Sequence, residues 1–326
     1  YFAESGWASI GNKIKVPTSE SIWSVIGNKV LSVNNPVILE WNNGSNLIFT
    51  KKIEIDDNYL FKINQEVKNN SSEQVELYPY AQLTRKNIPE DLKNFYILHE
   101  GFIAVLDEEL KEDDYDDIEE KKIVREADKG WIGITDKYWM TALIPEAGEK
   151  FKSTFLYQDA YKANFLLNNP KIIAPSAKVK NEIKIFVAAK EVRTIDSYAE
   201  KENIEKLDLI IDWGWFYFFT KPLFFAVDYL FKLTGNFGIA IVLITVMIRL
   251  VFFPLASYSF KSMAKMKALQ PEMARLKDLY KDDKVKLQQA IMALYKKEQI
   301  NPASGCLPVL IQIPFFFAIY KMLFIS

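Results

Sequence analysis

The chain has 326 residues, 49% hydrophobic and 25% charged, with a formal net charge of −1, the balance of an average soluble protein. Length allows about two domains. One cysteine and one histidine exclude a disulfide framework, a cysteine-based zinc site and any paired-histidine metal site.

The neutral balance is a cancellation. From Trp213 onward fourteen Lys/Arg stand against six acids, about +8, which leaves about −9 for the residues before it. A nucleic-acid arm can also be basic, but it would not be flanked by apolar runs of about twenty residues, the length that spans a bilayer.

Residues 1–193 alternate polar and apolar side chains between turn signals, the pattern of an all-β antiparallel sandwich. Leu47–Phe49, Tyr59–Ile63, Val75–Tyr78 and Ile183–Val187 are the clearest strands, rich in β-branched and aromatic residues. Asn42–Ser45 and Asn69–Ser72 are the turns between them. The acidic run Asp107–Asp117 is expected to be a solvated loop, because a core does not accept unpaired carboxylates. His99 reads as an ordinary strand-end residue. Trp131, Tyr138 and Trp139 admit two readings: rings that fill the core or support a helix, and a carbohydrate surface. Gly6 and Gly11 have phosphate-loop spacing, but Asn12-Lys13 follows where Lys-Ser/Thr is required. No acid pair with a supporting histidine suggests glycoside or epimerase chemistry, so no enzyme activity, catalytic residue, metal or cofactor is assigned.

Residues 194–235 loosen into a charged helical connector, about Thr194 to Lys206, and then an aromatic segment with Trp213, Trp215 and Tyr217, broken by charges and by Pro222. Trp and Tyr concentrate at the headgroup layer, so this segment reads as an interfacial amphipathic helix with a break near Pro222. Residues 236–255 and 304–326 are long enough to span as helices. Cys306, at the mouth of the second run, reads as a small packed thiol. Between the spans, 256–303 carries ten Lys/Arg from Lys261 to Lys297. Met263, Met266, Leu269, Met273, Leu276 and Leu279 recur at spacings of three and four, as do Leu287, Ile291 and Leu294, predicting two amphipathic helices in a hairpin. Met263, Met266 and Met273, with Lys265 among them, give an adaptable face for partners or lipid. Alternatively, the two apolar faces bury each other.

A short Lys/Arg-rich loop between two spans belongs on the cytoplasmic side, which puts the acidic β domain in the periplasm of a bacterial inner membrane. The start at Tyr1, without Met or signal-like segment, and the end just after an apolar run lead to the expectation of a fragment.

Arg249 lies within the first span, about four residues before the polar segment, with Thr245 one turn earlier on the same face. A charge there costs about 2.5 kcal/mol or more on insertion scales. Three readings remain: snorkelling to the headgroups, pairing with an acid of another helix, or lining a water-filled cavity. Gln312 adds a polar group in the second span, between Pro308 and Pro314.

The motifs in this half are specific. They run Asp212-Trp213-Gly214-Trp215, Lys221-Pro222-Leu223, Gly235-Asn236-Phe237-Gly238, Ile248-Arg249, Phe253-Pro254-Leu255 and Ser262-Met263-Ala264-Lys265-Met266. Leu269-Gln270-Pro271, Met292-Ala293-Leu294-Tyr295, Asn301-Pro302, Gly305-Cys306 and Ile311-Gln312-Ile313-Pro314 follow. From Asp212 onward the chain resembles the bacterial YidC/Oxa/Alb membrane protein insertases, and Gly130-Trp131-Ile132 and Lys137-Tyr138-Trp139 extend the likeness more loosely. The resemblance implies a β-supersandwich-like periplasmic domain followed by membrane helices with a cytoplasmic hairpin. It implies an insertase and chaperone with a hydrophilic groove open to cytoplasm and lipid, lined by Arg249, Thr245 and Gln312. Implied partners are nascent membrane proteins, the Sec translocon (SecYEG, SecDF), the ribosome, signal-recognition machinery and lipids. The N-terminal anchor and later core helices of that family are expected to be absent. The alternative is a membrane-anchored carbohydrate-binding or Sec-docking module.

Overall fold

The computed structural model describes every residue except 90–91, 93–97, 282, 299–306 and 326. Cys306, Gly305 and Asn301-Pro302 therefore lie outside the described residues, as does the side chain of Pro308. Two compact units are present, Tyr1–Asp212 and Trp213–Ser326.

The strands of the first unit begin with β1 (Phe2–Ala8), β2 (Ser24–Ile26), β3 (Val37–Asn42), β4 (Leu47–Ile55) and β5 (Leu60–Asn69). Next come β6 (Val75–Arg85), β7 (Gly101–Leu106), β8 (Glu109–Asp113), β9 (Ile123–Ala127) and β10 (Gly130–Thr135). The last are β11 (Trp139–Ile144), β12 (Phe151–Tyr157), β13 (Tyr161–Leu167), β14 (Lys171–Ile173) and β15 (Lys178–Ala189). A nine-stranded sheet has the order β2-β3-β4-β5-β15-β11-β10-β7-β8, and a second sheet β1-β6-β13-β12-β9 with β14 beside β6. The expected strands are β4, β5, β6 and β15, and the turn at Asn43 is held by its own side-chain oxygen, which accepts from the backbone N–H of Ser45 and Leu47 at 2.7 and 3.0 Å.

Period-2 alternation builds the core. On β6, Val75, Leu77, Pro79, Ala81 and Leu83 turn inward while Glu76, Tyr78, Tyr80 and Gln82 between them remain accessible. The rings of Phe102, Phe151, Phe155 and Phe165 fill the space between the sheets. Each buried side chain of this size contributes about 1.5–3 kcal/mol. β7 is buried along both faces, because the outer face of the nine-stranded sheet is covered as well. The cover is α2 (Val192–Lys201) and a 3-10 turn at Leu207–Ile210. Tyr198 packs on Phe186 with ring centroids 4.9 Å apart, and the Trp131 Nε1–H donates to the Glu205 carbonyl at 3.1 Å. The segment expected to be a charged helical connector thus packs on and closes the β domain: Val192, Ile195 and Tyr198 present one buried stripe. Gly130 permits the close pairing of β10 with β7, since a Cβ there would lie 1.9 Å from the Val105 carbonyl oxygen.

The acidic run is not a loop. It forms β8 and α1 (Tyr115–Glu120), with Asp113, Tyr115 and Ile118 buried. The Arg125 guanidinium donates to both Asp113 oxygens at 2.6 and 2.7 Å, so the buried carboxylate is paired. That partner lies on β9, beyond the reach of local pattern.

In the second unit, α3 (Tyr217–Thr234) and α4 (Phe237–Ala268) are joined at Gly235, whose left-handed conformation (φ 65°) ends α3. The Asn236 side chain then accepts from the Ile239 N–H at 3.1 Å and caps α4. α5 (Gln270–Leu279), α6 (Lys284–Lys297) and α7 (Leu307–Ile325) complete it. α3 is continuous through Pro222, where a break was expected; there proline removes only one helical donor. Among the described residues α4 is long and apolar enough to cross a membrane, whereas the described apolar run of α7, Leu310–Ile325, is shorter. The architecture is a large β sandwich followed by helices of membrane type.

Candidate functional site

α3, α4 and α7 meet around buried Val227, Ala240, Ile244 and Met322, with Leu223, Phe224, Leu230 and Ile248 at the margin. The Phe315 ring lies 4.5 Å from that of Phe219 and 5.0 Å from that of Phe252. Phe252 meeting Phe315 while Ile244 meets Met322 makes α4 and α7 antiparallel neighbours. Ala240, Ile244 and Ile248 form the packed stripe of α4; Thr245 and Arg249, one residue further round, stand outside it and are exposed.

The Thr245 hydroxyl donates to the Ile241 carbonyl at 2.7 Å, which leaves its oxygen free to accept. Arg249 has no ion-pair partner among the described residues. The helix continues past Arg249 through Leu250, Val251, Phe252, Phe253, Pro254 and Leu255 without a polar side chain. Ser257, the first polar residue after it, lies about 12 Å further along the axis, so snorkelling has more depth to cover than a loop after Pro254 would impose. Gln312 is partly exposed on α7. Because the helices are antiparallel, it stands nearer the level of Leu255 than of Arg249. Thr245 and Arg249 thus share one face, and Gln312 belongs to a different level.

The hairpin residues divide between two helices. Met263, Lys265 and Met266 are on α4, while Met273 is on α5. The helix breaks at Leu269 because Pro271, in the first turn of α5, has no N–H to continue the ladder. The Tyr295 hydroxyl donates to Met273 Sδ at 3.6 Å, so the α5 and α6 faces meet, yet neither helix buries a residue fully.

Among the interfacial aromatics, Trp215 is 97% exposed and Tyr217 partly so, but Trp213 is buried beneath Tyr217 and Phe224. Lys221 Nζ sits 5.8 Å from the Trp213 ring centre and 5.7 Å from that of Tyr217. Of the three expected anchors, Trp215 and Tyr217 are exposed and Trp213 is not.

In the β domain, a cleft of about 630 Å³ is lined by Asn64, Lys129, Lys184, Glu202 and Glu205. Its charges are spent on one another: Lys129 pairs with Glu108 and Glu205, and Lys184 with Glu202. Trp131, offered above as a sugar platform, is sealed in the core. The strongest network missed by the sequence reading joins Arg85, through one guanidinium nitrogen, to the Tyr1 hydroxyl and the Asp136 carboxylate, and through Nε to the Asn87 carbonyl.

A β domain of two sheets followed by helices that display apolar side chains, with an arginine that has no ion-pair partner among the described residues, is the build of a membrane protein with a large domain outside the bilayer. The family model described as YidC periplasmic domain matches residues 1–226, and that described as 60Kd inner membrane protein matches 229–326. The chain belongs to the YidC family of inner-membrane proteins. Similar proteins named Membrane protein insertase YidC include that of Pelagibacter ubique (strain HTCC1062), 52% identical over all of this chain and 58% of that protein. That of Brucella melitensis biotype 1 is 45% identical over all of this chain and 54% of its own length. The chain thus spans somewhat more than half the length of these relatives. A crystal structure titled as an active YidC insertase with the first transmembrane domain resolved aligns with 98% of this chain and 62% of its own, at 20% identity and a TM-score of 0.33.

Proposed function

We propose that the protein carrying this chain inserts nascent proteins into the bacterial inner membrane and assists their folding, through a hydrophilic groove within the bilayer. The observation that carries this reading is Arg249, exposed in an apolar helix, beside Thr245, outside the packed stripe and without an acid among the described residues. In a wet cavity a fixed cation attracts acids of a passing segment: two unit charges at 4 Å gain about 4 kcal/mol at an effective dielectric of about 20. This offsets part of the cost of desolvating the substrate, and no covalent step or cofactor is needed. Gln312 contributes a polar group at a second level of the groove.

The topology that fits is a periplasmic β domain and a cytoplasmic α5–α6 hairpin, set by the lysines between α4 and α7. The hairpin, with Met263, Lys265 and Met266 at the end of α4 and Met273 on α5, is the surface for substrate, ribosome and signal-recognition machinery. The Sec translocon is the partner for substrates too large to insert through this protein alone. In the full-length protein, Arg249→Ala is expected to reduce insertion of substrates with acidic translocated tails severalfold in a reconstituted assay and to spare those with neutral tails. Equal insertion of both classes would overturn the groove role.

A further inference from the structure

Exposed aromatic side chains are not scattered over the β domain. Among its described residues they are Tyr1, Phe2, Tyr59, Tyr138, Trp139 and Tyr157. Strand register places all six at one end of the sandwich. Trp139 faces Ala189 and Phe186 faces Leu60, which aligns Trp139 and Tyr59 at adjoining strand ends. In the other sheet Phe2 faces Thr84, Arg85 faces Tyr161 and Tyr157 also faces Tyr161. Arg85 joins the two sheets at this end through Asp136, directly after β10.

The chain also leaves the domain here. The Asp212 carboxylate accepts the His99 N–H at 2.8 Å, two residues before β7, whose first residue, Gly101, faces Thr135. The next residues of the chain are Trp213, Gly214 and Trp215, which lead into the helices of membrane type.

We propose that this end of the β domain rests on the headgroup layer of the membrane, with Trp139, Tyr138 and Tyr157 as its aromatic belt. Trp and Tyr concentrate where one edge of the ring is wet and the other apolar. Lys137 Nζ over the Tyr138 ring (4.8 Å) and Lys86 Nζ over Phe2 (5.7 Å) are placed to meet lipid phosphates. The acidic helix α1 lies at the same end, its Tyr115 hydroxyl donating to Asp136, so attachment rests on the rings more than on net charge. The surface therefore suits zwitterionic lipid better than strongly anionic lipid. The covalent exit at Asp212 favours lipid over a protein partner, since it keeps these rings tethered to membrane segments.

The test uses the full-length protein, free of cysteine (Cys306→Ser in this chain), reconstituted into phosphatidylethanolamine-rich vesicles. A small fluorophore is attached in turn at Trp139→Cys, at Tyr157→Cys and at Ile172→Cys. Ile172 is exposed near the opposite end, facing Glu76 at the start of β6. Brominated lipid is expected to quench the labels at 139 and 157 at least about threefold more than the label at 172, with iodide showing the reverse order. Equal quenching at all three positions would overturn the proposal. So would labels at 139 and 157 that resist both quenchers only when a second protein is co-reconstituted, which would make this end a protein-docking surface.

Discussion

The two units of the chain solve opposite solvation problems with similar residues. In Tyr1–Asp212 the rings and aliphatic side chains turn inward, and the charges that do become buried, Asp113 and Arg85, are paired. In Trp213–Ser326 the relation inverts: Val242, Leu243, Val246, Met247, Leu250 and Val251 of α4 face outward, and the buried cluster is small. A helix that is apolar all round requires an apolar surrounding. The difference teaches that burial and hydrophobicity are separate quantities here. In the β domain apolar character marks the core, whereas in the helices it marks the surface and polarity marks function.

Truncation of large apolar residues should separate the units most sharply. Trp131→Ala removes a fully buried ring and its hydrogen bond to Glu205, and is expected to cost about 3–5 kcal/mol of β-domain stability in chemical denaturation. Leu250→Ala, on an exposed face of α4, should change stability in detergent by less than about 0.5 kcal/mol. A similar loss from both would contradict the comparison.

A buried charge deprived of its partner should give the next largest effect. Asp113→Ala leaves the Arg125 guanidinium without its two acceptors beside β8 and is expected to destabilise the domain by about 2–4 kcal/mol. Asp113→Ala combined with Arg125→Met should recover part of that loss, because the orphaned charge is then gone. If the double variant is no more stable than Asp113→Ala, the loss comes from packing and not from charge.

The elements that were legible in the sequence are those set by local period. β4, β5, β6 and β15 follow from alternation at Leu47, Leu60, Val75 and Ile183, and α4 from its uninterrupted apolar run. What local period cannot convey is a partner from elsewhere in the chain. The acidic run resembled a loop because Arg125 supplies its counter-charge from β9. Trp213 resembled an interfacial anchor because Tyr217 and Phe224, which cover it, become neighbours only after α3 forms. The break at Leu269 carried a visible signal in Pro271, but the spacing of Met266, Leu269 and Met273 continues across it and masked the change of helix. At the candidate site, Arg249 and Thr245 were legible as a pair one turn apart. Their separation from Gln312 depends on the antiparallel register of α4 and α7.

A smaller expected loss or gain than at Trp131 or Asp113 concerns a partly buried lysine in the β domain. Lys51 on β4 donates to the Ser5 carbonyl at 2.7 Å, and burial pushes its amine down to about 8, against a weaker opposing pull from Glu4. Between that value and about 10.4, the ordinary lysine pKa, the unfolded chain binds more protons than the folded one, so stability rises with pH across this window. Below pH 8 both states are protonated and the full cost of charging the buried amine is present. Lys51→Met removes that cost at the expense of one hydrogen bond to Ser5, and the two terms nearly offset, for a net gain of about 1 kcal/mol at pH 7. Denaturation midpoints from pH 7 to 10 test this directly. The parent protein should gain stability across the window and the variant should not, and parallel curves would show that Lys51 keeps an ordinary pKa in a wet site.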